Sequence, residues 1–317
     1  MKDQLVLRKS ALKWAACFLL ILLFSAAGAE QVHAASRIVF PDRAYAGSKY
    51  VYVAIGIDGG GNIYRYNPST RKKKCLAKGK YHSLTVKGKY IYCALNDYAG
   101  SDNTNQYIYR VSCTGKSKKK LANGNWPVVI GNKIYYLASS KRKEYGYTVD
   151  DRQLGIYSMN LNGTGKKKVY GGSDWYSSFG TDGKNLYFCT NGGRYWKVFN
   201  PKTKSVSDIS LSGRSVNKTI RNFYYSGNLG SIRYGRKTYT YSGRNLYVTE
   251  KGKRKKVTRM GGTIKFLQPF KKYIFAVYEK EVNMGSWKQN KYYAVVMTVK
   301  GKKKKVITSG YNVSGGW

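Results

Sequence analysis

The feature that most constrains the fold of this chain is a repeated pair of aromatic-rich segments. An opening segment with an aromatic-aliphatic-aromatic pattern leads through a polar loop to a second Tyr-rich segment, which is followed by a basic run. Alternating aromatic and aliphatic residues between Gly, Asn and Lys clusters are typical of short β-strands. The opening segments are Tyr50-Val51-Tyr52, Tyr90-Ile91-Tyr92, Ile134-Tyr135-Tyr136, Leu186-Tyr187-Phe188 and Tyr273-Ile274-Phe275. The second segments begin at Ile63, Ile108, Ile156, Trp196, Leu246 and Tyr293.

The aliphatic residue that closes each unit measures the period of the repeat. These residues are Leu76, Leu121, Val169, Ile209, Val257 and Val306, and their spacing averages about 46 residues. A period of this length built from short strands is typical of propeller blades, which have four strands each. A further strand fits around Ser83–Val86 and around Trp126–Val129. We therefore predict an all-β fold, a six-bladed β-propeller of about 46-residue four-stranded blades, although the first two strands of the fifth unit cannot be placed between 210 and 240.

The amino terminus has the pattern of an export signal. Lys2, Arg8, Lys9 and Lys13 precede an uncharged apolar stretch, and small residues follow it up to Ala34. The apolar stretch is too short to span a bilayer comfortably, which is typical of a cleaved signal peptide. We predict a signal peptide at 1–34, a single propeller domain at 35–317, no integral membrane segment after cleavage, and a secreted protein. A retained signal anchor is the alternative.

The chain is strongly basic, with a formal net charge of +43. Seventeen of the 58 basic residues lie in short runs at the same place in five units, shortly before the closing aliphatic residue. A charge of this size attracts polyanions and says nothing about the fold. The candidate polyanion-binding residues are Lys72, Lys73, Lys74, Lys118, Lys119, Lys120, Lys166, Lys167, Lys168, Lys253, Arg254, Lys255, Lys256, Lys302, Lys303, Lys304 and Lys305.

The position of the basic runs has a second explanation. They lie in the last, outermost strand of each predicted blade, and exposed edge strands often carry Lys, which prevents edge-to-edge aggregation. The aromatic residues also allow two interpretations, because cross-strand pairs stabilise sheets whereas loop aromatics could stack on sugars. The candidate sugar-stacking residues are Tyr98, Tyr145, Tyr147, Trp175 and Tyr176.

The residues that usually carry catalysis or bind metals are scarce. His33 precedes the predicted cleavage site, so that a Ser-His-Asp or Cys-His arrangement would have to use His82. The few carboxylates show no spacing that indicates a glycosidase pair, and no set of His and Cys indicates zinc. We predict no catalytic residue, no metal site and no cofactor. Cys75, Cys93, Cys113 and Cys189 are interpreted as thiols, with a disulfide as the alternative.

Two segments carry a resemblance to a known family. Ile108-Tyr109-Arg110-Val111-Ser112-Cys113-Thr114-Gly115 and the segment from Ile156 to Gly163 resemble the I-x-R-x-x-L-D-G stretch of low-density-lipoprotein-receptor-type propellers. They are also similar to a related domain of unknown function in secreted proteins of Gram-positive bacteria. The resemblance covers about 48–307 and implies a propeller fold and a secreted setting. The Tyr-Trp-Thr-Asp strand of the receptors is not kept, so the resemblance implies none of their ligand contacts.

A different architecture uses similar residues. Cell-wall-binding solenoids also repeat Gly-x-aromatic patterns and end in Gly-Trp, as Gly316-Trp317 does. Their repeats are about half as long, and the longer period therefore favours blades.

These observations predict a secreted, non-enzymatic binding or scaffold propeller at the cell surface. Its expected partner is an anionic cell-wall polymer or a protein, and the export signal disfavours nucleic acid. The alternative is a propeller-type lyase or hydrolase that acts on extracellular polysaccharide.

Overall fold

The strands of the computed structural model follow the repeat of the sequence. The structure describes residues 44–46, 49–55, 60–98, 104–144, 147–171, 176–190, 195–209 and 231–311. Each helix or strand element within these ranges is a β-strand, and all paired strands are antiparallel. The strands are β1 (Ala44–Ala46), β2 (Val51–Val53), β3 (Gly61–Tyr66), β4 (Lys73–Lys87), β5 (Tyr90–Tyr98), β6 (Thr104–Ser112), β7 (Lys118–Ile130), β8 (Lys133–Glu144), β9 (Tyr147–Asn160), β10 (Lys167–Tyr170), β11 (Tyr176–Thr181), β12 (Leu186–Thr190), β13 (Tyr195–Asn200), β14 (Ser205–Ile209), β15 (Ser231–Tyr234), β16 (Lys237–Ser242), β17 (Asn245–Glu250), β18 (Lys253–Arg259), β19 (Thr263–Phe270), β20 (Tyr273–Asn283), β21 (Lys288–Thr298) and β22 (Lys305–Tyr311).

In the described ranges these strands form six consecutive four-stranded meanders, here called modules 1 to 6. Modules 4, 5 and 6 are the separate sheets β11–β14, β15–β18 and β19–β22. Modules 1 to 3 share one ten-stranded sheet, because β4 and β7 each form the fourth strand of one module and continue as the first strand of the next. The chain passes between modules at Gly79 and Gly124, whose φ angles are 143° and 136°. A Cβ at Gly124 would lie 2.0 Å from the carbonyl oxygen of Leu137, so this crossing requires glycine.

The predicted all-β fold with four-stranded units is confirmed. The opening segments of the sequence are the second strands of their modules, and the Tyr-rich segments that follow are the third strands. The strands expected around Ser83 and Trp126 are the first strands of modules 2 and 3. The missing strands of the fifth unit are β15 and β16, and 210–230 lies outside the described residues.

The core lies between the modules. The second strands are buried on both faces, as in Val51–Val53 and Leu186–Thr190. Val51 and Val53 pack against module 6, and Tyr52 between them packs against module 2. Five shared clusters join modules 1 and 2, 2 and 3, 3 and 4, 5 and 6, and 6 and 1. Burying a large apolar side chain stabilises the fold by about 1.5–3 kcal/mol. A single four-stranded sheet cannot cover both of its own faces, and each module therefore depends on its neighbours.

The contact between the first and the last module gives the fold its circular order. Val51 and Val53 of module 1 belong to one buried cluster with Phe275, Val277 and Ala294 of module 6. Four-stranded meanders that pack in sequence and return to the first are the arrangement of a β-propeller. The number of blades in the ring stays a prediction, because 210–230, which connects modules 4 and 5, lies outside the described residues.

The aliphatic residues that measure the period occupy a β-bulge. Leu76, Leu121, Val169 and Val257 are each skipped in the pairing of the third and fourth strands. In module 6 the skipped residue is Ile307, which is 3% exposed, whereas Val306 pairs with Val295 and is 46% exposed. The predicted closing residue of the last unit is therefore wrong by one position.

The turn of the next module covers this bulge. A Cβ at Gly163 in module 3 would lie 3.0 Å from Cδ2 of Leu121 in module 2. A Cβ at Gly115 would lie 3.1 Å from the Cα of Leu76 in the same way. The bulge and the small turn residue thus form a contact that recurs between consecutive modules.

The predicted signal peptide at 1–34 lies outside the described residues. No helix in the described ranges is long and apolar enough to cross a membrane.

Candidate functional site

Each module has two different ends. In an antiparallel meander the turns alternate between the ends of the sheet, so the first–second and third–fourth turns share one end, here called the turn end. The second–third loop and the connection to the next module lie at the opposite end, here called the loop end. Hydrogen bonds join the two turns at the turn end. In module 2 the amide of Cys113 donates to the carbonyl of Lys89, and in module 6 the amide of Val299 donates to the carbonyl of Lys272.

The predicted polyanion-binding residues lie at the turn end. Each basic run lies where the third–fourth turn ends and the fourth strand of its module begins, and in module 6 only Lys305 of the run is inside the strand. All of these side chains, from Lys72–Lys74 through Lys302–Lys305, are exposed. The structure therefore places five separate runs of cations at corresponding positions in modules 1, 2, 3, 5 and 6.

The described carboxylates are concentrated at the loop end. Asp97, Asp208, Glu279 and Glu281 lie there, and the backbone positions of Glu144, Asp150 and Asp151 fall at the same end. Glu279 pairs with Lys265 at 2.9 Å, and Glu281 pairs with Lys288 at 3.6 Å. At the turn end the carboxylates with described side chains are Asp182 and Glu250. The two ends of the modules thus differ in charge.

Both of these turn-end carboxylates are already engaged. Glu250 pairs with Lys237 at 3.3 Å. Asp182 accepts hydrogen bonds from the amides of Lys184 and Asn185, at 2.8 and 2.7 Å, and from the Tyr187 hydroxyl at 2.9 Å. Burial alone would raise the pKa of Asp182, but these hydrogen bonds outweigh it and hold the pKa below its usual value. Burial and the Asp182 carboxylate raise the pKa of Tyr187 to about 12.

Two arginines that the sequence analysis did not single out as site residues join consecutive modules. Arg65 of module 1 lies over the ring of Tyr50 at 4.5 Å and donates to the carbonyl of Cys113 in module 2 at 2.8 Å. Arg110 of module 2 lies over Tyr90 at 4.4 Å and donates to the carbonyl of Leu161 in module 3 at 3.4 Å. Their signal in the sequence is the Arg of the I-x-R stretch, which we interpreted as part of a strand pattern.

Some of the predicted lysines form similar contacts between modules. Lys74 donates to the carbonyl of Thr114 at 2.9 Å, and Lys73 donates to that of Ile307 at 3.1 Å. Lys304 donates to the carbonyl of Arg259 at 2.8 Å. These three side chains therefore contribute to the packing of the ring, whereas Lys72, Lys166 and Lys302 donate no hydrogen bond to another module in the part of the chain that the structure describes.

The exposed Lys120 and the half-buried Lys141 both lie close to the ring of Tyr107. The Nζ atoms of Lys120 and Lys141 lie 3.5 and 4.6 Å from the centre of this ring, and Lys141 donates to Asn105 at 3.1 Å. Burial and the positive charge of Lys120 lower the pKa of Lys141 to about 8, although Asp97 acts in the opposite direction. Burial also lowers the pKa of Lys120.

His82 is held in a packed polar cluster. It is 9% exposed, its Nδ1 lies 3.0 Å from Ser83 Oγ, and its Nε2 lies 2.9 Å from Asn96 Oδ1. Ser83 has a φ of 53°, and Trp126 and Ser178 adopt similar values in the bulged first strands of modules 3 and 4. Because this conformation recurs where no histidine is present, it belongs to the module and does not indicate a nucleophile.

The cysteines and loop aromatics give no binding site in the described ranges. No disulfide joins the four cysteines there; Cys93 and Cys189 are buried, whereas Cys75 is exposed. No group of three potential metal ligands occurs among the described residues. Tyr176 is 2% exposed and packs against Phe188, so the prediction that it stacks on sugars is wrong. The side chains of Tyr98, Tyr145, Tyr147 and Trp175 lie outside the described residues.

No family model matches this sequence, and no curated protein matches it. Among solved structures, YjhT is 11% identical, with 86% of this chain and 98% of that chain covered and a TM-score of 0.44. A chain of the nidogen/laminin complex is 12% identical, with 84% and 98% covered and a TM-score of 0.43. A putative TolB from Agrobacterium tumefaciens is 15% identical, with 78% and 87% covered and a TM-score of 0.40. The chain spans 34% of the tricorn protease, which it also matches, at 13% identity and a TM-score of 0.30. With such identities and scores, these likenesses do not indicate what the chain binds or catalyses.

Proposed function

We propose that this chain is an exported, non-enzymatic propeller of six blades that binds an anionic polymer of the Gram-positive cell envelope at the cell surface. The observation that carries the proposal is the separation of charge between the two ends of the modules. Five basic runs lie exposed at the turn end, and the described carboxylates there are already engaged by Lys237 or by their own turn. A surface that carries many cations and few acids attracts a polyanion, and each basic run can contact a different part of the polymer.

The edge-strand explanation accounts for only part of this charge. Blocking edge-to-edge aggregation requires charged side chains on the exposed strand, and it does not require that they gather at one end of the sheet. The runs instead contain three or four consecutive basic residues in five modules, at one end of the sheet. The excess at this end supports a binding role, and the contacts of Lys73, Lys74 and Lys304 between modules account for a few of the positions.

The resemblance to low-density-lipoprotein-receptor-type propellers is part of the proposal. The Arg of the I-x-R stretch in modules 1 and 2 donates to the carbonyl at the Leu position of the same stretch in the next module. A motif whose residues contact each other across consecutive modules has a structural role. The resemblance therefore supports a shared module design and does not supply a ligand.

The alternative enzyme function has no supporting observation in the described ranges. Glu279 and Glu281, the closest carboxylates in sequence with described side chains, are each paired with a lysine. A glycosidase needs one carboxyl to protonate the leaving group and another to act as a nucleophile or base. We therefore argue for the binding function.

Titration of the secreted chain with purified wall polymer or long-chain polyphosphate at two salt concentrations tests the proposal. Because bound counterions are released, six or more ionic contacts would lower the affinity by about a thousandfold between 50 and 200 mM salt, by analogy with duplex DNA. A neutral polymer such as dextran is the control and is not expected to bind. An affinity for polyphosphate that does not change with salt would contradict the proposal.

A further inference from the structure

A depression of about 280 Å³ lies at the turn end, where module 1 meets module 6. The third–fourth turn of module 1 forms one side of it, and the first–second turn of module 6 forms the other. Ser69 Oγ of module 1 lies 3.4 Å from the Tyr273 hydroxyl of module 6, which joins the two sides. The first and last modules of the ring therefore create this depression together.

The floor of the depression is apolar. Tyr66, Val296 and Met297 line it and are only 3%, 3% and 1% exposed. The half-buried ring of Tyr273 forms a wall, and Lys272 lies with its Nζ 5.8 Å from the centre of that ring. A ligand that enters the depression thus meets an apolar floor and an aromatic side.

The rim of the depression is cationic. Arg71, Lys272 and Lys303 line it and are exposed, and no carboxylate lines it. None of these three side chains forms an ion pair with a residue that the structure describes. The charges of the rim are therefore available for an anionic group on the ligand.

Two of the rim residues occupy backbone positions that suit glycine better. Arg71 and Lys303 have φ angles of 56° and 54°, in the left-handed region that glycine and asparagine adopt most easily. Neighbouring turns of this chain do use glycine in that region, at Gly115 and Gly301. Lys204, Lys251 and Lys271 adopt the same conformation and do not line this depression, so the conformation belongs to the turns and is not by itself evidence of a ligand.

We propose that this depression binds one acidic saccharide unit of the anionic polymer. The apolar C–H face of the sugar ring would lie against Tyr273 and the floor, and its carboxylate would accept hydrogen bonds from Arg71, whose planar guanidinium suits a carboxylate. Pockets for drug-sized ligands are roughly 300–1,000 Å³, so that this smaller depression suits a single unit of a polymer. The inference rests on the proposed function, since the rest of the polymer would lie along the basic runs.

The chain contains a matched control for the rim. Asn200-Pro201-Lys202-Thr203-Lys204 in module 4 forms the same turn as Asn67-Pro68-Ser69-Thr70-Arg71, because the first Asn accepts a hydrogen bond from the amide two residues on in both, at 2.9 and 3.0 Å. Lys204 has a φ of 60° and does not line the depression. Replacing Lys204 therefore removes one positive charge from the same kind of turn in module 4, outside the depression.

Calorimetric titration of the secreted chain with a tetrasaccharide of alternating glucuronic acid and N-acetylglucosamine tests the inference. Arg71→Gln is expected to lower the affinity for this tetrasaccharide by about tenfold or more, because a charge-assisted hydrogen bond is lost. Lys204→Gln is expected to leave this affinity unchanged. The neutral tetramer of N-acetylglucosamine is expected not to bind. Circular dichroism and the thermal midpoint check that both variants remain folded.

The remaining outcomes separate the inference from the proposed function. Equal weakening by Arg71→Gln and Lys204→Gln would show that diffuse charge holds the tetrasaccharide and would overturn the site. Tripolyphosphate that binds as tightly as the acidic tetrasaccharide would overturn the saccharide specificity. If long-chain polyphosphate binds and the tetrasaccharide does not, the inference fails and the proposed function stands; if neither binds, both fail.

Discussion

The turn end and the loop end of the modules are built from the same strands but carry different charges. At the turn end the basic runs follow the third–fourth turns, and the described carboxylates there, Asp182 and Glu250, are engaged by neighbouring groups. At the loop end the carboxylates alternate with lysines and pair with them, as in Glu279 and Lys265. The same strands separate the two ends of each module. The charge of one end can therefore be changed by substitution without altering the other end.

The largest expected effect tests this comparison directly. Replacing Lys166, Lys253 and Lys302 at the turn end by Gln should lower the affinity for polyphosphate by about a hundredfold, at about 1 kcal/mol for each cation near an anionic surface. The slope of affinity against salt should fall by about three, one for each lost contact. Titration at several salt concentrations measures both quantities.

The matched triple variant replaces Lys78, Lys143 and Lys280, which are exposed at the loop end. It removes the same net charge, and we expect it to lower the affinity by much less. If the two triple variants weaken polyphosphate binding equally, the ends do not differ in function and only the total charge matters.

A second prediction separates cations that hold modules together from cations that are available to a ligand. Arg65→Ala removes the hydrogen bond to Cys113 and the contact with Tyr50, and should lower the free energy of unfolding by about 2 kcal/mol. Arg71→Ala, at an exposed position, should change it by less than about 0.5 kcal/mol. Chemical denaturation of both variants measures the difference. Equal destabilisation would contradict the idea that Arg65 stabilises the contact between modules 1 and 2.

A third prediction concerns the acids of the turn end. Asp182→Ala removes the acceptor of four hydrogen bonds in the first–second turn of module 4 and should cost about 1–2 kcal/mol of stability. Asp182→Asn keeps the side-chain acceptor and should cost less. Because hydrogen bonds hold the pKa of Asp182 low, its contribution is present above the ordinary carboxyl pKa and is lost as the pH falls. Denaturation at neutral and at acidic pH measures this; a carboxylate with no structural role would show no such pH dependence.

The last prediction concerns how a loop-end lysine, Lys141, makes the stability of the protein depend on pH. Lys141 lies towards the loop end, and its pKa is lowered from 10.5 to about 8. Between these values the unfolded chain binds a proton that the folded chain has released, so stability should rise with pH in that window. Lys141→Met should remove this part of the slope between about pH 8 and pH 10. Denaturation midpoints at three pH values in this window measure the slope, and identical slopes for both proteins would contradict the assignment.

Much of the fold could be predicted from the sequence because the strands repeat. The second strands read as aromatic-aliphatic runs since they are buried on both faces, and the third strands alternate. The last unit was misplaced by one residue, because Val306 and Ile307 are both aliphatic and only the bulge decides which of them is buried. The first strands of the fifth unit were missed because Ser231–Tyr234 and Lys237–Ser242 are short and polar for strands.

The candidate site was predicted less completely. The basic runs could be found in the sequence because they recur at one place in the repeat, and the structure shows their side chains exposed. The sequence could not show that Lys73, Lys74 and Lys304 reach carbonyls of other modules, since those partners are distant in the chain. It also could not show the depression between modules 1 and 6, because that site forms only when the two ends of the domain meet.

The continuous strands β4 and β7 make the first half of the ring mechanically different from the second. Force applied to module 1 is transmitted along continuous strands into modules 2 and 3, whereas modules 5 and 6 are separate sheets that pack through their side chains. A protease that cuts at Gly79 or Gly124 would sever a strand that serves two modules at once. A cut between β18 and β19 would leave every described hydrogen-bonded ladder intact, although the connection there contains the buried Met260.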